Sequence, residues 1–411
     1  VCDALNDLLT MDLLMNTTTA PSQTLTLPAG APAAARTVFK LLQRLKHGSL
    51  TLQLPDGSVQ HVGQGTEPCA SLSVHHWRVF TQALKSGDIG FAEGYIDGHW
   101  STSDLSALLR LFIANRREVE DVIYGTWLGR LLYRIRHLLN RNTRSNSQKN
   151  IHAHYDLGNA FYKLWLDPSM NYSSAWFQGD TQQPLQQAQQ AKMARALEQA
   201  GVRAGKGQRV LEIGCGWGAI AEMGAGVLGA CMTGVTLSHE QLTWAQQRLQ
   251  QADLQADLRL QDYRDIDDGP FDAIVSIEML EAVGQAYWPT YFNTVHRLLK
   301  PGARACIQTI VIDDPLFERY IRGTDFIQQY IFPGGCLPSP SRFKAAAQRA
   351  GLVVEESLSF GRDYAHTLRL WRHDFMSRRD EVLALGFDEP FIRTWEFYLA
   401  YCEAAFEQDN T

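Results

Sequence analysis

The residues of this chain best suited to chemistry lie in one short stretch, residues 210–218, which reads VLEIGCGWG. Its first half is apolar enough for a buried strand, and its second half turns through Gly214, Gly216 and Gly218 before a helix-like segment. Such a turn forms a site for a nucleotide-like ligand, because the glycines let the ligand approach the backbone and the helix offers free N–H groups. Glu212 lies two residues before the first glycine, where its carboxylate can enter the cleft. The spacing differs from the Gly-x-Gly-x-x-Gly pattern of dinucleotide sites, which disfavours a nicotinamide cofactor.

The elements that must position this turn follow a repeating pattern. From residue 151 onward, strands and helices alternate as they do in a doubly wound α/β sheet. After the first strand, further strands are predicted at 230–235, 257–260, 271–277 and 303–312. Ligands of such sheets collect at the carboxyl ends of the strands. Polar residues follow all five strands, at 212–218, 236–238, 261–263, 278–281 and 308–310. This convergence favours a cofactor site over a glycine turn with a purely structural role.

Length, composition and charge narrow the class of protein. At 411 residues the chain is long enough for about two domains. Hydrophobic residues at 45% and charged residues at 20% are typical of a soluble globular protein. A net charge of −6 disfavours a nucleic-acid partner. The seven cysteines are scattered without a Cys-x-x-Cys pair, which fits reduced thiols in the cytoplasm better than a disulfide framework or a metal site.

The chain divides into four predicted segments. Residues 1–36 are expected to be disordered or to be a mis-called N-terminus. No signal peptide is expected there, because the first 35 residues contain no lysine or arginine. Residues 37–115 are predicted to form a smaller mixed α+β domain, with a hairpin around the Asp-Gly turn at 56–57. Residues 116–150 form a linker, and residues 151–411 form the catalytic domain. No apolar run reaches the length of a transmembrane helix.

The linker carries a basic amphipathic segment at 127–139, and its arginines continue to residue 144. Its apolar residues recur at helical spacing, and its arginines have no acidic residue among them. The two sets are Leu131, Leu132, Ile135, Leu138 and Leu139, and Arg130, Arg134, Arg136, Arg141 and Arg144. A basic amphipathic helix suits the surface of an anionic membrane. The apolar face could equally dock on the protein itself, and periodicity alone does not separate the two.

Five further motifs occur in order along the chain. They are HYDLGN at 154–159, LDPSMNYS at 166–173, GVTLS at 234–238, QDY at 261–263 and YIFPGG at 330–335. The glycine turn resembles the first motif of class I S-adenosylmethionine (SAM) methyltransferases, and the whole set resembles the cyclopropane-fatty-acid synthase family, which includes the mycolic acid methyltransferases. The resemblance runs from about residue 40 to the end. It implies a class I SAM-methyltransferase fold, a Rossmann-like doubly wound sheet with a smaller N-terminal mixed α+β domain.

What the resemblance implies is transfer of one carbon from SAM to the cis double bond of an unsaturated acyl chain in a membrane phospholipid. An alkene is a poor nucleophile and a sulfonium a good electrophile, so the enzyme must hold both in line. The intermediate would be a carbocation on the acyl chain, which a dry site walled by aromatic rings and a carboxylate stabilises. The protein would then be cytoplasmic and peripheral on the inner face of the membrane, and a homodimer is compatible with the resemblance.

By motif match, the resemblance assigns cofactor-binding roles to fourteen residues. The first two would close over SAM, the glycine turn with its glutamate would cradle the methionine portion, and the rest would border the ribose and the adenine. In that order they are Tyr172, Ser173, Glu212, Gly214, Cys215, Gly216, Trp217, Gly218, Thr236, Leu237, Gln241, Gln261, Asp262 and Tyr263.

The resemblance also implies a bound bicarbonate as the base that closes the ring, and here the chain departs from the family pattern. The matching catalytic positions are Ser174, Glu281, Gln308, Ile310 and Tyr364. The family's cysteine is Ser174, its histidine after Glu281 is Ala282, and its histidine on the fifth strand is Gln308. Serine and glutamine can still donate hydrogen bonds to an anion, but both proton-handling histidines are absent. Whether bicarbonate binds is therefore left open, whereas methyl transfer is expected to be kept.

Several alternatives stay open at this point. The product could be a cyclopropane or a methyl-branched chain. The protein could also be a soluble small-molecule methyltransferase or a non-catalytic lipid-binding relative. Glu278, directly after the fourth strand, could face either cofactor or substrate. Cys402 is expected to line the acyl pocket or the core and not to act as a nucleophile. Four aromatic residues could form an acyl tunnel or an ordinary core, namely Phe326, Tyr330, Phe332 and Trp371.

Overall fold

The computed structural model describes residues 26–65, 67–119, 157–409 and 411. Three predictions lie wholly or partly outside these ranges: the disordered N-terminal segment up to residue 25, the basic amphipathic helix from residue 127, and the first half of the motif at 154–159. Among the helices of the described ranges, none combines the length and the apolar character needed to cross a membrane.

The N-terminal part of the chain folds as a four-stranded sheet with helices packed on it. Its elements are α1 (Ala33–Leu42), β1 (Ser49–Gln53), β2 (Val59–Gly63), β3 (Cys69–Val74), α2 (Arg78–Ser86), α3 (Asp88–Ile96), β4 (Trp100–Ser101) and α4 (Leu105–Ala114). The strand order is β2-β1-β3-β4, with β1 antiparallel to β2 and parallel to β3. The predicted hairpin is confirmed, and Asp56 Oδ1 accepts a hydrogen bond from Ser58 N at its turn.

The glycine-rich stretch at 87–100 contains a helix, α3, that its composition did not indicate. A Cβ at Gly90 would overlap the carbonyl oxygen of Gln82 in α2, and a Cβ at Gly94 would lie 3.3 Å from the indole ring of Trp100. The two glycines therefore let α3 pack closely against its neighbours. This packing outweighs the cost of about 1 kcal/mol that glycine carries in a helix.

The larger part of the chain contains a five-stranded parallel sheet. Its strands are β5 (Arg209–Ile213), β6 (Cys231–Thr236), β7 (Asp257–Leu260), β8 (Phe271–Ile277) and β9 (Leu299–Gln308), in the order β7-β6-β5-β8-β9. The helices around it are α5 (Asn159–Lys163), α6 (Leu185–Gln199), α7 (Ala219–Gly226), α8 (His239–Gln251) and α9 (Trp288–Leu298). All four strand pairings are parallel, which confirms the predicted doubly wound sheet. The strand order reverses between β5 and β8, where such sheets bind their ligands.

A helical layer at the end of the chain joins the two sheets. It comprises α10 (Asp314–Tyr320), a π-helical turn (Ile327–Ile331), α11 (Pro340–Arg349), α12 (Gly361–Ser377), α13 (Arg379–Ala384) and α14 (Glu389–Glu407). Helix α14 packs against α12 and also against α3 and α4. Within it, Glu403 is 2% exposed and accepts hydrogen bonds from Ser106 Oγ of α4 at 2.6 Å and from Arg369 Nε of α12 at 2.9 Å. This buried charge ties the N-terminal sheet to the catalytic part.

Candidate active site

The glycine turn after β5 has the geometry that its sequence predicts. Gly214, Gly216 and Gly218 have φ values of +85°, +50° and +83°, in the left-handed region that favours glycine. Gly218 precedes α7, and a Cβ there would lie 2.8 Å from the Cβ of Ala245 in α8. Glycine at these positions therefore permits both the sharp turn and the close packing of α8.

A first cavity of about 170 Å³ lies at the carboxyl ends of β5, β6, β7 and β8. Thirteen of the fourteen residues predicted to bind the cofactor line it, and the exception is Gly218, which packs against α8 instead. The structure adds a wall that the motifs did not indicate, formed by residues that follow β8. They are Met279, Ala282, Val283 and Tyr287.

Glu212 is the acidic residue of β5 in this first cavity. Its side chain is 3% exposed, and its Oε2 has no hydrogen-bond partner among the described residues. Burial raises the pKa of this carboxyl to about 8, and the positive charge of Lys192 opposes the rise. A buried acceptor without a partner fits a ligand that brings a donor, such as the amino group of SAM.

Hydrogen bonds hold the turns after β6 and β7 in shape. Thr236 Oγ1 donates to Gln241 Oε1 at 2.9 Å, and Gln241 N donates to the Ser238 Oγ that caps α8. Asp262 Oδ1 accepts from Arg264 Nε at 2.8 Å. Three of the residues predicted to border the ribose and the adenine, Thr236, Gln241 and Asp262, are therefore held in place by the protein itself, which lowers the entropy cost of binding a ligand there.

A second, larger cavity of about 690 Å³ adjoins the first. Tyr172, Glu278 and Ala282 line both cavities, so the two meet at these residues. Helices α3 and α4 of the N-terminal part contribute to the second cavity together with α10, α12 and α14. Its apolar lining includes Ile89, Ile113, Ile312, Leu316, Phe332 and Leu368. This volume lies within the range of small-molecule sites, and the lining suits a long apolar ligand.

Of the four aromatic residues predicted as tunnel or core, one lines the second cavity, two lie in the core and one lies at the surface. Phe332 lines the second cavity, whereas Phe326 and Trp371 are fully buried in the core. Tyr330 lies at the surface, where its hydroxyl donates to Glu93 Oε1. Cys402 lines the second cavity, and burial raises the pKa of its thiol well above the ordinary value, which disfavours the thiolate form that a nucleophile needs.

Glu278 is the residue on which three of the predicted catalytic residues converge. Its Oε1 accepts hydrogen bonds from Ser174 N and from Gln308 Nε2, each at 2.8 Å, and its Oε2 accepts one from Tyr364 Oη at 2.6 Å. Burial raises the pKa of Glu278, while these three hydrogen bonds and the charge of Lys192 oppose the rise. Ser174 contributes its backbone N–H, because its hydroxyl donates to the Ala175 carbonyl instead. The donors predicted to hold a bicarbonate thus hold a carboxylate of the chain.

Glu281 and Ile310 complete the predicted catalytic set. Ile310 N, two residues beyond the end of β9, donates a hydrogen bond to Glu281 Oε1. Glu281 Oε2 is buried, and nothing in the described part of the chain bonds to it. Burial raises the pKa of Glu281 to about 8, with a further contribution from the neighbouring charge of Glu278. Both carboxyls line the second cavity.

A buried lysine lies behind this site. Lys192 of α6 is 3% exposed, and its Nζ donates to Ser173 Oγ at 2.5 Å and to Asn171 Oδ1 at 3.3 Å. Burial lowers the pKa of Lys192 to about 8, opposed by the charges of Glu278, Asp167 and Glu212. No sequence pattern indicated this residue, because α6 is a polar helix in which lysine is expected at the surface.

Comparison with known proteins agrees with this geometry. The sequence profile of a family described as mycolic acid cyclopropane synthetase matches residues 142–411. Tuberculostearic acid methyltransferase UfaA1 of Mycobacterium tuberculosis is 38% identical over 389 residues, which cover 92% of this chain and 89% of that protein. Cyclopropane-fatty-acyl-phospholipid synthase of Escherichia coli K12 is 35% identical over 343 residues, which cover 83% of this chain and 85% of that protein.

Solved structures that are similar to this chain belong to the same family. Mycolic acid cyclopropane synthase CmaA1, complexed with SAH and CTAB, is 31% identical with a TM-score of 0.58, and the match covers 64% of this chain and 94% of that one. Cyclopropane synthase MmaA2 from Mycobacterium tuberculosis is 28% identical with a TM-score of 0.59 and the same coverage. The class I SAM-methyltransferase fold is thereby confirmed. The chain belongs to the mycolic acid cyclopropane synthetase family of SAM-dependent methyltransferases, with SAM as its methyl donor.

Proposed function

We propose that this protein transfers the methyl group of SAM to the cis double bond of an unsaturated phospholipid acyl chain, and that Glu278 takes the proton that the acyl cation then loses. One observation carries the proposal: Glu278 lines both cavities, so it lies where a ligand of the first meets a ligand of the second. The E. coli relative, named a cyclopropane-fatty-acyl-phospholipid synthase, supports a phospholipid acyl chain as the acceptor.

The reaction balances with one base. SAM supplies an electrophilic methyl carbon on a sulfonium. As the acyl double bond attacks it, a C–C bond forms, the C–S bond breaks, and the positive charge moves to the neighbouring acyl carbon. Transfer of one proton to the Glu278 carboxylate then gives a neutral lipid. If that proton leaves the new methyl group as the ring closes, the product is a cyclopropane; if a double bond forms instead, it is a methyl-branched chain.

The charges around Glu278 favour its role as an acceptor of protons. Three donated hydrogen bonds and the nearby Lys192 favour the ionised carboxylate against the effect of burial. Burial and the charge of Glu278 raise the pKa of Glu281 to about 8, which favours the neutral form of Glu281 at neutral pH. In the proposed mechanism the Glu278 carboxylate supplies the negative charge that stabilises the acyl cation.

Tyr172 is the aromatic residue at the junction of the two cavities, and further aromatic rings pack against it. The ring of Tyr172 lies 5.4 Å from the ring of Trp165 and 5.5 Å from that of Trp371, and its hydroxyl lies 2.7 Å from that of Tyr398. Rings of this kind stabilise a nearby cation and keep out the water that would quench it. The fixed hydroxyl pair holds Tyr172 against both ligands.

The chain favours the methyl-branched product. Both histidines of the family pattern are replaced, by Ala282 and Gln308, and the carboxylate of Glu278 occupies the donors that would hold bicarbonate. The mycobacterial relative named as a tuberculostearic acid methyltransferase supports methylation without ring closure. Cyclopropane formation is the second candidate, supported by the name of the E. coli relative. A phospholipid substrate would place the protein on the inner face of the cytoplasmic membrane, bound peripherally.

The test is mass spectrometry of the acyl chains after incubation of the full-length protein with SAM and vesicles of a phospholipid that has one cis double bond. The expected product gains one CH2 unit and is still cleaved by ozone, because a methyl-branched alkene keeps its double bond. A gain of CH2 with resistance to ozone would replace this product by the cyclopropane. No gain on vesicles, whether or not a soluble acceptor is methylated, would overturn the proposed function.

A further inference from the structure

A short segment without helix or strand, residues 170–174, contributes to the junction of the two cavities. We call it the junction segment. Its residues 170–173 line the first cavity, and Tyr172 lines the second as well. Its last residue, Ser174, donates its backbone N–H to Glu278 Oε1 at 2.8 Å. One stretch of backbone therefore forms a wall of the predicted SAM site and also binds the proposed base.

Both ends of the junction segment are anchored by residues that line neither cavity. On the N-terminal side, Arg248 of α8 donates hydrogen bonds to the carbonyl oxygen of Ser169 at 2.7 Å and to that of Pro168 at 3.1 Å. On the C-terminal side, Ala175 N donates to Thr367 Oγ1 of α12 at 3.1 Å. These contacts fix where the segment begins and ends. They do not fix the orientation of the peptide groups between its ends.

Helix α6 holds the middle of the junction segment through two buried side chains. Gln189 is fully buried, and its Nε2 donates to the Ser173 carbonyl oxygen at 2.8 Å. Lys192 donates from Nζ to Ser173 Oγ at 2.5 Å and to Asn171 Oδ1 at 3.3 Å. Residues three positions apart lie on one face of a helix, so both side chains reach the same segment.

One planar peptide group connects Gln189 to the proposed base. The carbonyl of Ser173 and the N–H of Ser174 belong to this group, and in a trans peptide they point in opposite directions. Gln189 Nε2 binds the carbonyl end, and Glu278 Oε1 binds the N–H end. The hydrogen bond from Gln189 therefore opposes a rotation that would turn the N–H away from Glu278.

Neither packing nor direct contact with a ligand accounts for this glutamine. Helix α6, which lies wholly in the described part of the chain, lines neither cavity. The Oε1 of Gln189 is buried, and no described residue bonds to it, which costs free energy that an apolar side chain of similar length would not. What Gln189 contributes is therefore its Nε2 donor to the junction segment.

We propose that Gln189 is a positioning residue for methyl transfer: it orients the peptide group that follows Ser173 and, through it, the carboxylate of Glu278. This inference rests on the proposed function, in which Glu278 is the base. Ser173 is also one of the two residues predicted to close over SAM, and it lines the first cavity. Binding of SAM and placement of the base thus depend on one backbone conformation.

Gln189→Met tests this role in the full-length protein, because methionine has a similar length but neither the donor nor the unpaired oxygen. The urea unfolding midpoint should stay close to that of the wild type, since the lost hydrogen bond and the removed buried oxygen offset each other. Calorimetric titration should show about threefold to tenfold weaker binding of SAM. Gln190→Met is the matched control at an exposed position of the same helix, and it should behave like the wild type.

Turnover of vesicle phospholipid gives the second readout. In Gln189→Met, kcat should fall about tenfold while the KM for lipid stays near that of the wild type, because displaced groups slow the reaction and the second cavity keeps its lining. The acid limb of the pH–rate profile should move to higher pH, since the hydrogen bond from Ser174 N lowers the pKa of Glu278. The charged and titratable groups that face Glu278 are unchanged in this variant, namely Lys192, Glu281 and Tyr364.

Several results would overturn the role of Gln189. A Gln189→Met protein that unfolds would make this residue structural, and one that keeps the kcat of the wild type would remove any role in the reaction. A lower kcat with unchanged SAM affinity and an unmoved acid limb would likewise contradict the positioning of Glu278.

Hydrogen exchange separates this inference from the proposed function. Amides of residues 170–177 should exchange faster in Gln189→Met than in the wild type or in Gln190→Met, because the segment loses its central anchor. If the wild type methylates no lipid but exchange and SAM affinity change as expected, the proposed function fails while the positioning of the junction segment stands. If lipid is methylated and neither exchange nor SAM affinity changes, the inference about Gln189 alone fails.

Discussion

The hydroxyl of Tyr364 donates a 2.6 Å hydrogen bond to Oε2 of Glu278, between residues 86 positions apart in sequence. The bond joins α12 to the end of β8 at the junction of the two cavities. Burial raises the pKa of Glu278, and the hydrogen bond from Tyr364 is the largest of the effects that oppose this rise. Tyr364 therefore helps to keep the carboxylate ionised, as a base must be.

Replacement of this tyrosine should change both the rate and its pH dependence. Tyr364→Phe is expected to lower kcat by about tenfold to a hundredfold, since a hydrogen bond to a charged group is lost. It should also move the acid limb of the pH–rate profile to higher pH, because the pKa of Glu278 rises further without its donor. Tyr330→Phe, which removes a surface hydroxyl, is the matched control. A slower variant whose acid limb stays in place would show that Tyr364 acts by packing alone.

Glu281→Gln should make the free energy of unfolding less dependent on pH. The pKa of Glu281 in the folded protein, about 8, lies above its ordinary value of 4.5, so the folded chain keeps a proton that the unfolded chain releases between these pH values. Stability from this group is complete below pH 4.5 and is lost as the pH rises through 8. The wild type should therefore lose on the order of 2–4 kcal/mol relative to the variant between pH 5 and pH 8.

Urea unfolding of both proteins at pH 5, 6.5 and 8 measures this difference, because other titrating groups cancel between them. Glu355→Gln serves as the control, since Glu355 is an exposed residue that pairs with Arg304 at the surface. A wild-type minus variant difference that stays constant across this range would mean that Glu281 ionises in the folded protein as readily as in the unfolded chain.

Lys192→Met should destabilise the protein and weaken SAM binding. The variant leaves Glu212 and Glu278 without their buried counter-charge and removes the donor to Ser173 Oγ. Breaking such a buried charge arrangement costs about 3–5 kcal/mol, whereas Lys206→Met at an exposed position should change stability by no more than about 0.5 kcal/mol. Denaturant unfolding and calorimetric titration with SAM check both effects. Equal stability of the two variants would exclude a structural role for the buried ammonium group.

Gly90→Ala should be costly although alanine is the better helix former. Its Cβ would overlap the Gln82 carbonyl oxygen and push α3 away from α2, at a cost of about 1–3 kcal/mol. Gly30→Ala is the control, because a Cβ there has no atom within 4 Å among the residues that the structure describes, and it should be neutral or slightly stabilising. Thermal unfolding of the two variants checks this, and a Gly90→Ala protein as stable as the wild type would contradict the packing explanation.

The doubly wound sheet and the glycine turn could be predicted because they depend on local pattern. Apolar runs of strand length alternate with helical segments, and the three glycines mark the turn whatever lies around it. The role of Glu278 could not be predicted in this way. Its three donors lie 104, 30 and 86 residues away, so only the folded chain brings them to one carboxylate.

The residues that line the second cavity could not be predicted from local sequence pattern either. The aromatic residues proposed for it are equally apolar in sequence, yet Phe332 lines the cavity while Phe326 and Trp371 lie in the core. Which face of a helix meets a cavity depends on the neighbouring helices, and here these include α3 and α4 of the N-terminal part. Helix α3 itself was missed, because glycine is unfavourable in isolated helices and is needed here only for contact with α2.

The role of Glu278 as the base is tested most directly by asking whether an added anion restores the activity of a variant that lacks this carboxylate. Wild type and Glu278→Ala are assayed for methylated phospholipid in bicarbonate-free buffer and again with added bicarbonate, with SAM affinity measured as a control for folding. The wild type should turn over equally in both buffers, because its own carboxylate occupies the donors of Ser174, Gln308 and Tyr364. The variant should lose about a thousandfold in rate, keep its SAM affinity, and recover part of the rate with bicarbonate, which fits the space left between these donors. A wild type that requires bicarbonate, or a variant that keeps its rate without any added anion, would contradict the role of Glu278.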